Sequence, residues 1–464
     1  MSEFARTRAM RQFYRNLFTR LIDLPEADVM PAHIVAEIFS FKSANLALLD
    51  PMIRDAKTGL DAEKEDALKN LLRAIVLANH VFDDGHSDEN PAFPADLTAQ
   101  ITEYVVSALQ VDSNVNYLVA AIQILFRVNE ISSALFLINN HLSTVSQSAP
   151  VLKILLLVCL MEDDYNQAMV VIQALTAEAS LIGEDPMALL MITCGIFKLG
   201  GLPDSYIDFR SLDDSESEIA DPGYDVWIEK TSNAKTTVLL SCDERDYYTH
   251  AVPLVYSIHA TNHDELDVHL HLYNCGDDVK QNLLALREQL PELHISASHE
   301  HINSRDALAV IYASRRMILL RHALQTFATP IIAMNTNMLI RHRWKPLDTP
   351  LLLLQSETSP FWEEVFAGFI YAQPDEVTQR YFDKVARFID VNLSSGNHVP
   401  GLEQVALFAC LDRLSGTDQM AILRKERTSI LDSHDGTEAF CWVGGNADSS
   451  YQTCKASLLE QYPR

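Results

Sequence analysis

The segment 330–343, with the sequence PIIAMNTNMLIRHR, most limits what this chain can fold into. Two apolar runs, 331–334 and 338–340, stand on either side of the polar triplet Asn-Thr-Asn at 335–337. A short, fully apolar run that follows a helical segment is typical of a buried strand in a parallel sheet. Ligands of such sheets bind at the carboxyl ends of the strands. The segment therefore predicts a central strand that brings polar side chains to a ligand site.

Further apolar runs in the carboxyl-terminal half alternate with segments whose apolar residues have helical spacing. The predicted strands lie at 236–241, 267–273, 293–297, 351–354 and 366–370. The predicted helices lie at 249–260, 277–290, 304–327, 375–391 and 401–414. This alternation indicates a mostly parallel sheet covered by helices on both faces, so we expect an α/β domain over 235–464.

The amino-terminal half, residues 1–209, is predicted to be α-helical, because its apolar residues recur every three or four positions, as at 3–20, 28–49 and 61–82. Within 97–209, three similar units begin at Tyr117, Val151 and Met187, about 35 residues apart. Their period and two-helix shape resemble tetratricopeptide repeats, although aliphatic residues replace most of that motif's Trp, Gly and Tyr positions. A plain helical bundle with a coincidental period is the alternative.

Two polar segments interrupt these patterns. Residues 210–234 are acidic and contain a Pro-Gly turn at 222–223, which predicts a linker between the two domains. Residues 83–94 are also acidic, but their Gly comes too early for a calcium-binding EF-hand loop. We interpret this second segment as a solvated loop.

Composition excludes several classes of partner. The 464 residues carry a net charge of −27, which argues against nucleic acid or an anionic membrane as a partner. The longest apolar run, 154–161, is too short to span a bilayer, and the amino terminus lacks the apolar core of a signal peptide. The seven cysteines are dispersed without a CxxC pair, which favours reduced thiols in a cytoplasmic protein.

Taken in order, the segments over 235–450 resemble nucleotide-sugar glycosyltransferases of the GT-A fold. In that family, a hydrophobic strand runs into an Asp-x-Asp motif whose carboxylates hold a divalent metal on the sugar-nucleotide diphosphate. This chain has Asn335 and Asn337 at those two positions. The resemblance implies an α + α/β multidomain protein, with an amino-terminal helical repeat or bundle and a carboxyl-terminal GT-A-like, Rossmann-like domain.

The resemblance also implies roles for individual residues. The end of the opening strand meets the nucleotide, an Arg precedes the central strand near the diphosphate, an Ala-Gly strand follows, and a later helix begins beside the sugar. The implied nucleotide-sugar-binding residues are Ser241, Cys242, Asp243, Arg316, Asn335, Asn337 and Gly368. The implied catalytic residues are Glu403 and Gln404. Arg315 neighbours Arg316, but adjacent helical residues point about 100° apart, so one of the two is expected to face the site.

A metal site is in doubt on chemical grounds. Hard cations such as Mg²⁺ and Mn²⁺ favour anionic oxygens, and the amide oxygens of Asn335 and Asn337 are neutral. The family's third ligand is a late His, for which His434 is one candidate. In the other alignment, Trp-Val-Gly-Gly at 442–445 matches the family's tail, and Val443 replaces the ligand. We expect no cofactor, and Mn²⁺ or Mg²⁺ only if the Asn substitutions are compensated.

Other motifs suggest little chemistry. His269 and His271 alternate on one strand and share a face, but no third zinc ligand follows at suitable spacing. We interpret them, and likewise His299 and His301, as structural histidines with satisfied hydrogen bonds. The chain lacks GxGxxG, P-loop, GxSxG and HExxH motifs, so it does not read as a dehydrogenase, NTPase or hydrolase.

Two functions fit this sequence. The first is a glycosyltransferase for hexosyl or related transfer, which binds a nucleotide sugar without metal while the helical domain holds a protein or glycan acceptor. The second is a catalytically inactive scaffold or sugar-nucleotide-binding module with the same two domains. The Arg, Ala-Gly and Glu-Gln features favour the first. The paired Asn residues favour the second, or a metal-free form of the first.

Overall fold

The computed structural model describes residues 22, 24–39, 46–82, 94–213, 219, 221–231, 233–304, 306–356, 359–432, 438–444 and 450–462. The chain forms two compact units, Met1–Gly201 and Leu202–Arg464. The first is helical in its described part, and the second contains a mixed eight-stranded sheet with helices. The predicted α + α/β class is therefore confirmed. The helix at 3–20, most of the loop at 83–94 and His434 lie outside the described residues.

The described helices of the first unit follow one another with short connections. They are α1 (Ala32–Ile38), α2 (Leu46–Asp55), α3 (Ala62–Ala78), α4 (Ala95–Val111), α5 (Val115–Arg127), α6 (Ile131–Asn140), α7 (Leu142–Val145), α8 (Ala149–Met161), α9 (Tyr165–Ala177), α10 (Ala179–Ile182) and α11 (Pro186–Lys198). None of the helices that the structure describes, in either unit, is long and apolar enough to cross a membrane.

The predicted repeats correspond to helix pairs in two cases of three. Helices α5 and α6 pack together, as do α8 and α9. Ala134 and Ala168, at equivalent places in the second helix of each pair, are fully buried, as close helix packing requires. The third unit differs, because α11 has no second helix after it. Gly200, with φ of +89°, and then Gly201 and Pro203 end the helical conformation there.

The strands of the second unit are short and mostly buried. They are β1 (Asp225–Ile228), β2 (Thr236–Cys242), β3 (Leu266–Tyr273), β4 (Ile295–Glu300), β5 (Ile331–Met334), β6 (Met338–Ile340), β7 (Leu351–Gln355), β8 (Val365–Ala372), β9 (Ile422–Glu426), β10 (Leu431–Asp432) and β11 (Cys441–Val443). The main sheet has the order β1-β4-β3-β2-β5-β8-β7-β9, and a small sheet has the order β10-β11-β6. In the main sheet, β4-β3-β2-β5 is a parallel block, and β8 runs antiparallel to both of its neighbours.

The helices of the second unit pack around this sheet. They are α12 (Glu244–Asp246), α13 (Val252–Asn262), α14 (Asp277–Gln289), α15 (Leu308–Phe327), α16 (Glu376–Ser394), α17 (Leu402–Asp412), α18 (Gly416–Ala421) and α19 (Ser450–Gln461). Alternate strand residues such as Val238, Leu270 and Ile332 share one hydrophobic core with α13 and α14. Helix α15 packs against β2 and β5 and also contacts α16, which packs in turn against α17.

The segment predicted as a linker is partly a structural element of the second unit. Strand β1 pairs antiparallel with β4, with Asp225 opposite His299, and so forms one edge of the sheet. The unit itself begins ahead of the predicted linker, at Leu202. The acidic and polar composition of 210–234 concealed a four-residue strand in which Ile228 is the buried residue. The interpretation of the whole of 210–234 as a connection is therefore wrong for this strand.

Candidate functional site

A cleft of about 510 Å³ opens where β2 and β5 end. These strands are adjacent and parallel, with Leu239 opposite Ala333, so their carboxyl ends reach the same edge of the sheet. All nine described residues that the sequence singles out line this cleft. They are Ser241, Cys242, Asp243, Arg316, Asn335, Asn337, Gly368, Glu403 and Gln404.

Arg316 lies at the centre of the cleft wall. Its guanidinium donates hydrogen bonds to the Asn335 side-chain oxygen and, at 2.9 Å, to the Ala367 carbonyl. The side chain is 7% exposed, and its Nε has no hydrogen-bond partner among the described residues. Burial lowers the pKa of Arg316, while the nearby Glu403 carboxylate opposes that shift. The guanidinium is therefore a buried positive charge, and its Nε–H is available to donate a hydrogen bond.

Arg315 points elsewhere, as the helical geometry predicts. Its guanidinium binds the Glu300 carboxylate, whose side chain is 5% exposed. Of the two adjacent arginines, Arg316 is therefore the one that lines the cleft.

Gly368 allows the floor of the cleft to form. A Cβ atom at this position would lie 2.2 Å from Cζ of Phe366 and 2.8 Å from Nδ2 of Asn335. The Gly368 carbonyl also accepts a hydrogen bond of 2.9 Å from the Asn335 backbone N–H. A side chain here would displace the Phe366 ring, Asn335 or both. The Ala-Gly strand thus fixes the orientation of the central turn.

Glu403 and Gln404 lie in the first turn of helix α17, which begins at Leu402 directly after Gly401, whose φ is +78°. Burial raises the pKa of Glu403, against the effects of its own backbone N–H and of the Arg316 charge. A second carboxyl group, that of Glu363, lies in a short 3-10 turn that packs against α17. Burial, and next the charge of Glu403, raise the pKa of Glu363 to about 7. The sequence analysis missed Glu363, which belongs to no motif.

The late segment of the chain lies against the central turn. Strand β11 pairs with β6 so that Val443 is opposite Met338, and the Gly444 N–H donates a 2.8 Å hydrogen bond to the Asn337 carbonyl. Val443, which one of the two alignments puts at the late ligand position, therefore lies beside the central turn. His434, the other candidate, lies outside the described residues.

The donors around this turn do not fit Mg²⁺ or Mn²⁺. Asn335 and Asn337 offer neutral amide oxygens, and the Asn335 oxygen already accepts a hydrogen bond from the positive guanidinium of Arg316. A divalent cation bound to that oxygen would lie beside a like charge. Among the described parts of the chain, no three His, Cys, Asp or Glu side chains are grouped so that they could hold a metal.

The wall opposite the central turn contains residues that the sequence analysis did not select. Asp246 and His250 line the cleft together with Asp243, at a helical spacing of three and seven residues. Tyr312 lines it as well, and its ring stacks on Tyr273 with centroids 4.5 Å apart. The spacing from Asp243 was the available signal for Asp246.

The interpretation of His269 and His271 as structural histidines is confirmed. His269 contacts the hydroxyls of Ser296 and Ser298 at 2.9 Å each, and His271 contacts Ser298 at 2.8 Å and Glu300 at 3.1 Å. Burial lowers the pKa of His269 to about 3 and also lowers that of His271. Although burial opposes it, hydrogen bonds from His271 and Arg315 lower the pKa of Glu300.

These protonation states allow one consistent orientation of the buried hydrogen bonds. Neutral His271 donates from Nε2 to ionised Glu300 and accepts at Nδ1 from Ser298. Neutral His269 then donates from Nε2 to Ser298, and its Nδ1 lies 2.9 Å from the Ser296 hydroxyl, which has the Val268 carbonyl as a second acceptor at 3.2 Å. The chain of donors therefore ends on the carboxylate that also holds Arg315. Its role in this structure is to position Glu300 and Arg315.

Comparison with known proteins gives a limited result. No family model and no curated protein sequence matches the chain. Among solved structures, the chain is similar to the apo structure of WbbM, which is described as a bifunctional glycosyltransferase, with 9% sequence identity and a TM-score of 0.37. The match covers 61% of this chain and 58% of that one. A TM-score of this size does not establish a shared fold, so the candidate site rests on its own geometry.

Proposed function

We propose that this protein is a glycosyltransferase-like protein that binds a nucleotide sugar in the cleft without a divalent metal, and that it transfers the sugar to an acceptor. The observation that carries the proposal is the convergence of nine residues, chosen from the sequence for this role, on one cleft. The buried guanidinium of Arg316 supports a place for the diphosphate. Guanidinium–phosphate pairs are short and strong, and they need no metal to neutralise charge.

The proposed reaction requires a positive group that stabilises the leaving diphosphate and a group that accepts the proton of the acceptor hydroxyl. A hydroxyl oxygen of the acceptor forms a bond to the anomeric carbon, and the bond from that carbon to the diphosphate breaks. The diphosphate leaves with the electron pair, and Arg316 stabilises the additional negative charge. The hydroxyl proton passes to the Glu403 carboxylate. A carboxylate whose pKa is raised by burial is a better proton acceptor near neutral pH than an ordinary one.

In this proposal, the helical unit binds the acceptor. Paired helices such as α5–α6 and α8–α9 form extended surfaces in repeat proteins, and these surfaces bind partners. With a net charge of −27 on the chain, a protein or glycan acceptor with basic or neutral polar groups is favoured over an acidic one.

A second candidate is a module that binds the nucleotide sugar without transferring it. The observation in its favour is the donor set of the central turn, in which Asn335 and Asn337 offer neutral amides and the neighbouring Val443, opposite Met338, offers no metal ligand. In this case, the cleft binds the donor and the helical unit presents the complex to a partner.

Release of nucleoside diphosphate from a panel of nucleotide sugars separates the two candidates. A transferase releases it, slowly to water and faster when an acceptor is present, and Glu403→Gln retains donor binding while losing at least about 99% of the turnover. A binding module shows donor binding without release, and Glu403→Gln then leaves the behaviour unchanged. Absence of donor binding in the wild type would contradict both.

A further inference from the structure

His250 lies in a single π-helical turn, Tyr247–Ala251, between α12 and α13. Such turns are rare and occur often at functional sites, because the extra residue changes the direction of side chains. The imidazole lines the cleft together with Asp243 and Asp246. The π-helical turn thus directs the His250 side chain into the cleft.

The imidazole is incompletely satisfied in the protein alone. Its Nδ1 is buried and has no hydrogen-bond partner among the described residues. A buried polar atom without a partner costs about 1–3 kcal/mol, which a ligand can recover by supplying the missing partner. This atom is therefore a binding group that the established contacts of the fold do not use.

The charges around His250 favour a neutral imidazole when no ligand is present. Burial, and next the charge of Lys455 on α19, lower its pKa, and Arg245 acts in the same direction. Asp246 opposes these effects. Lys455 is half-buried and makes no ion pair with any residue that the structure describes. The basic side chain of Lys455, which does not itself line the cleft, therefore acts on the His250 imidazole from another element.

We infer that His250 binds a phosphate group of the nucleotide sugar and takes up a proton when that ligand binds. This inference rests on the proposed function, and it assigns part of the diphosphate charge to residues outside the family's motifs. A nucleotide-sugar diphosphate carries two negative charges, and Arg316 supplies one positive charge. Protonated His250 supplies a second positive charge, and the positive charge of Lys455 also acts at this position. An anion beside the imidazole stabilises its charged form, which reverses the effect of Lys455.

Because binding and protonation are linked, the affinity must depend on pH. The diphosphate of a nucleotide sugar is a diester and does not titrate between about pH 5 and pH 8, so the ligand adds no proton of its own. If the anion raises the imidazole titration midpoint by about one unit, then affinity at pH 5.5 exceeds affinity at pH 8 by up to about tenfold.

The test uses the full-length protein with ¹³C-labelled histidine. The imidazole signals are titrated from pH 5 to pH 8, alone and with saturating UDP-glucose, UDP-N-acetylglucosamine or GDP-mannose. His250→Gln identifies the His250 signal. Calorimetry at pH 5.5 and pH 8 measures the affinity of the wild type, of His250→Gln and of His263→Gln. His263 is the matched control, because its half-exposed side chain pairs with Glu292 and does not line the cleft.

The expected result is an upward shift of the His250 midpoint by about one unit with a binding nucleotide sugar, together with a pH dependence that His250→Gln removes and His263→Gln retains. Binding of a nucleotide sugar without a shift of the His250 midpoint would overturn the inference and leave the proposed function in place. The same follows if His250→Gln keeps the wild-type pH dependence. No binding of any of the three donors, and no change of any imidazole signal, would overturn both.

Discussion

Arg316 donates a hydrogen bond to the side-chain oxygen of Asn335. This contact joins the helix before the central strand to the turn after it. It also places a positive guanidinium beside Asn335, the first of the two Asn residues of the central turn. The amide at that position suits this neighbour, because a neutral oxygen accepts the hydrogen bond without forming a closed ion pair. The guanidinium keeps its net charge for a ligand.

The first prediction concerns Arg316 itself. Arg316→Ala removes the charge that we assign to the diphosphate, and the loss of one partner from a buried charged pair costs about 3–5 kcal/mol. Nucleotide-sugar affinity is expected to fall by at least about a hundredfold, as measured by calorimetry. Arg321→Ala is the matched control. Arg321 lies on the same helix, is largely buried and pairs with Asp383 at 2.7 Å, but does not line the cleft. Equal losses in the two variants would contradict the role of Arg316.

The second prediction concerns Gly368. Gly368→Ala places a methyl group 2.2 Å from Phe366 and 2.8 Å from Asn335, so the floor of the cleft must move. We expect donor affinity to fall by tenfold or more, and a cost of about 1–3 kcal/mol in the free energy of unfolding, from urea titration. Gly223→Ala is the control, because a Cβ there meets nothing within 4 Å. Unchanged donor binding in Gly368→Ala would show that this floor is not part of the site.

The third prediction concerns the buried chain of hydrogen bonds. Glu300→Gln removes the negative charge that Arg315 and His271 share, so about 3–5 kcal/mol of stability should be lost. The matched control is Asp264→Asn, which breaks the ion pair with Arg343 at a site where the two side chains are 46% and 58% exposed. Exposed pairs contribute little, so the control should unfold at nearly the wild-type urea concentration. A similar loss in both variants would contradict the account of the chain.

The fourth prediction is a pH dependence of stability. The pKa of Glu363 is raised to about 7 by burial and by Glu403, so the folded protein binds this proton more tightly than the unfolded chain. The stability that this proton contributes is fully present below the pKa of a glutamate in the unfolded chain, near 4.3, and it is lost as pH rises through about 7. The free energy of unfolding of Glu363→Gln, relative to that of the wild type, should therefore increase by up to about 2 kcal/mol when the pH is raised from 5 to 8. Urea unfolding at the two pH values measures the gain, and an equal difference at both would contradict it.

The sequence predicted most of the α/β unit, because its central strands are continuous apolar runs between helices with clear periodicity. The central strands at 331–334 and 338–340 have the predicted bounds, and Asp277–Gln289 differs from its prediction by one residue. The prediction missed several elements, namely β1, β9, β10, β11, α12, α18 and α19. Each is short or carries few buried residues, as in α19, where Tyr451 and Leu458 are buried. Their pairing depends on distant partners, which local patterns do not reveal.

The sequence predicted the site residues that stand at the ends of strands. It did not predict those that reach the cleft through tertiary packing. Asn335 and Asp243 stand directly after apolar runs, so their convergence follows from the parallel pairing of β2 with β5. Glu363 approaches Glu403 through the packing of a 3-10 turn on α17, and His250 faces the cleft through a π-helical turn. Neither arrangement has a local sequence signal that specifies it.

The central claim is that the cleft holds a nucleotide sugar through Arg316 and without a metal. Calorimetry of the wild-type protein against a panel of nucleotide sugars, once in EDTA and once in MnCl₂, tests it most directly. The account predicts that one or more of the donors binds, with the same dissociation constant in both buffers. Binding that requires Mn²⁺, or binding to no donor in either buffer, would contradict it.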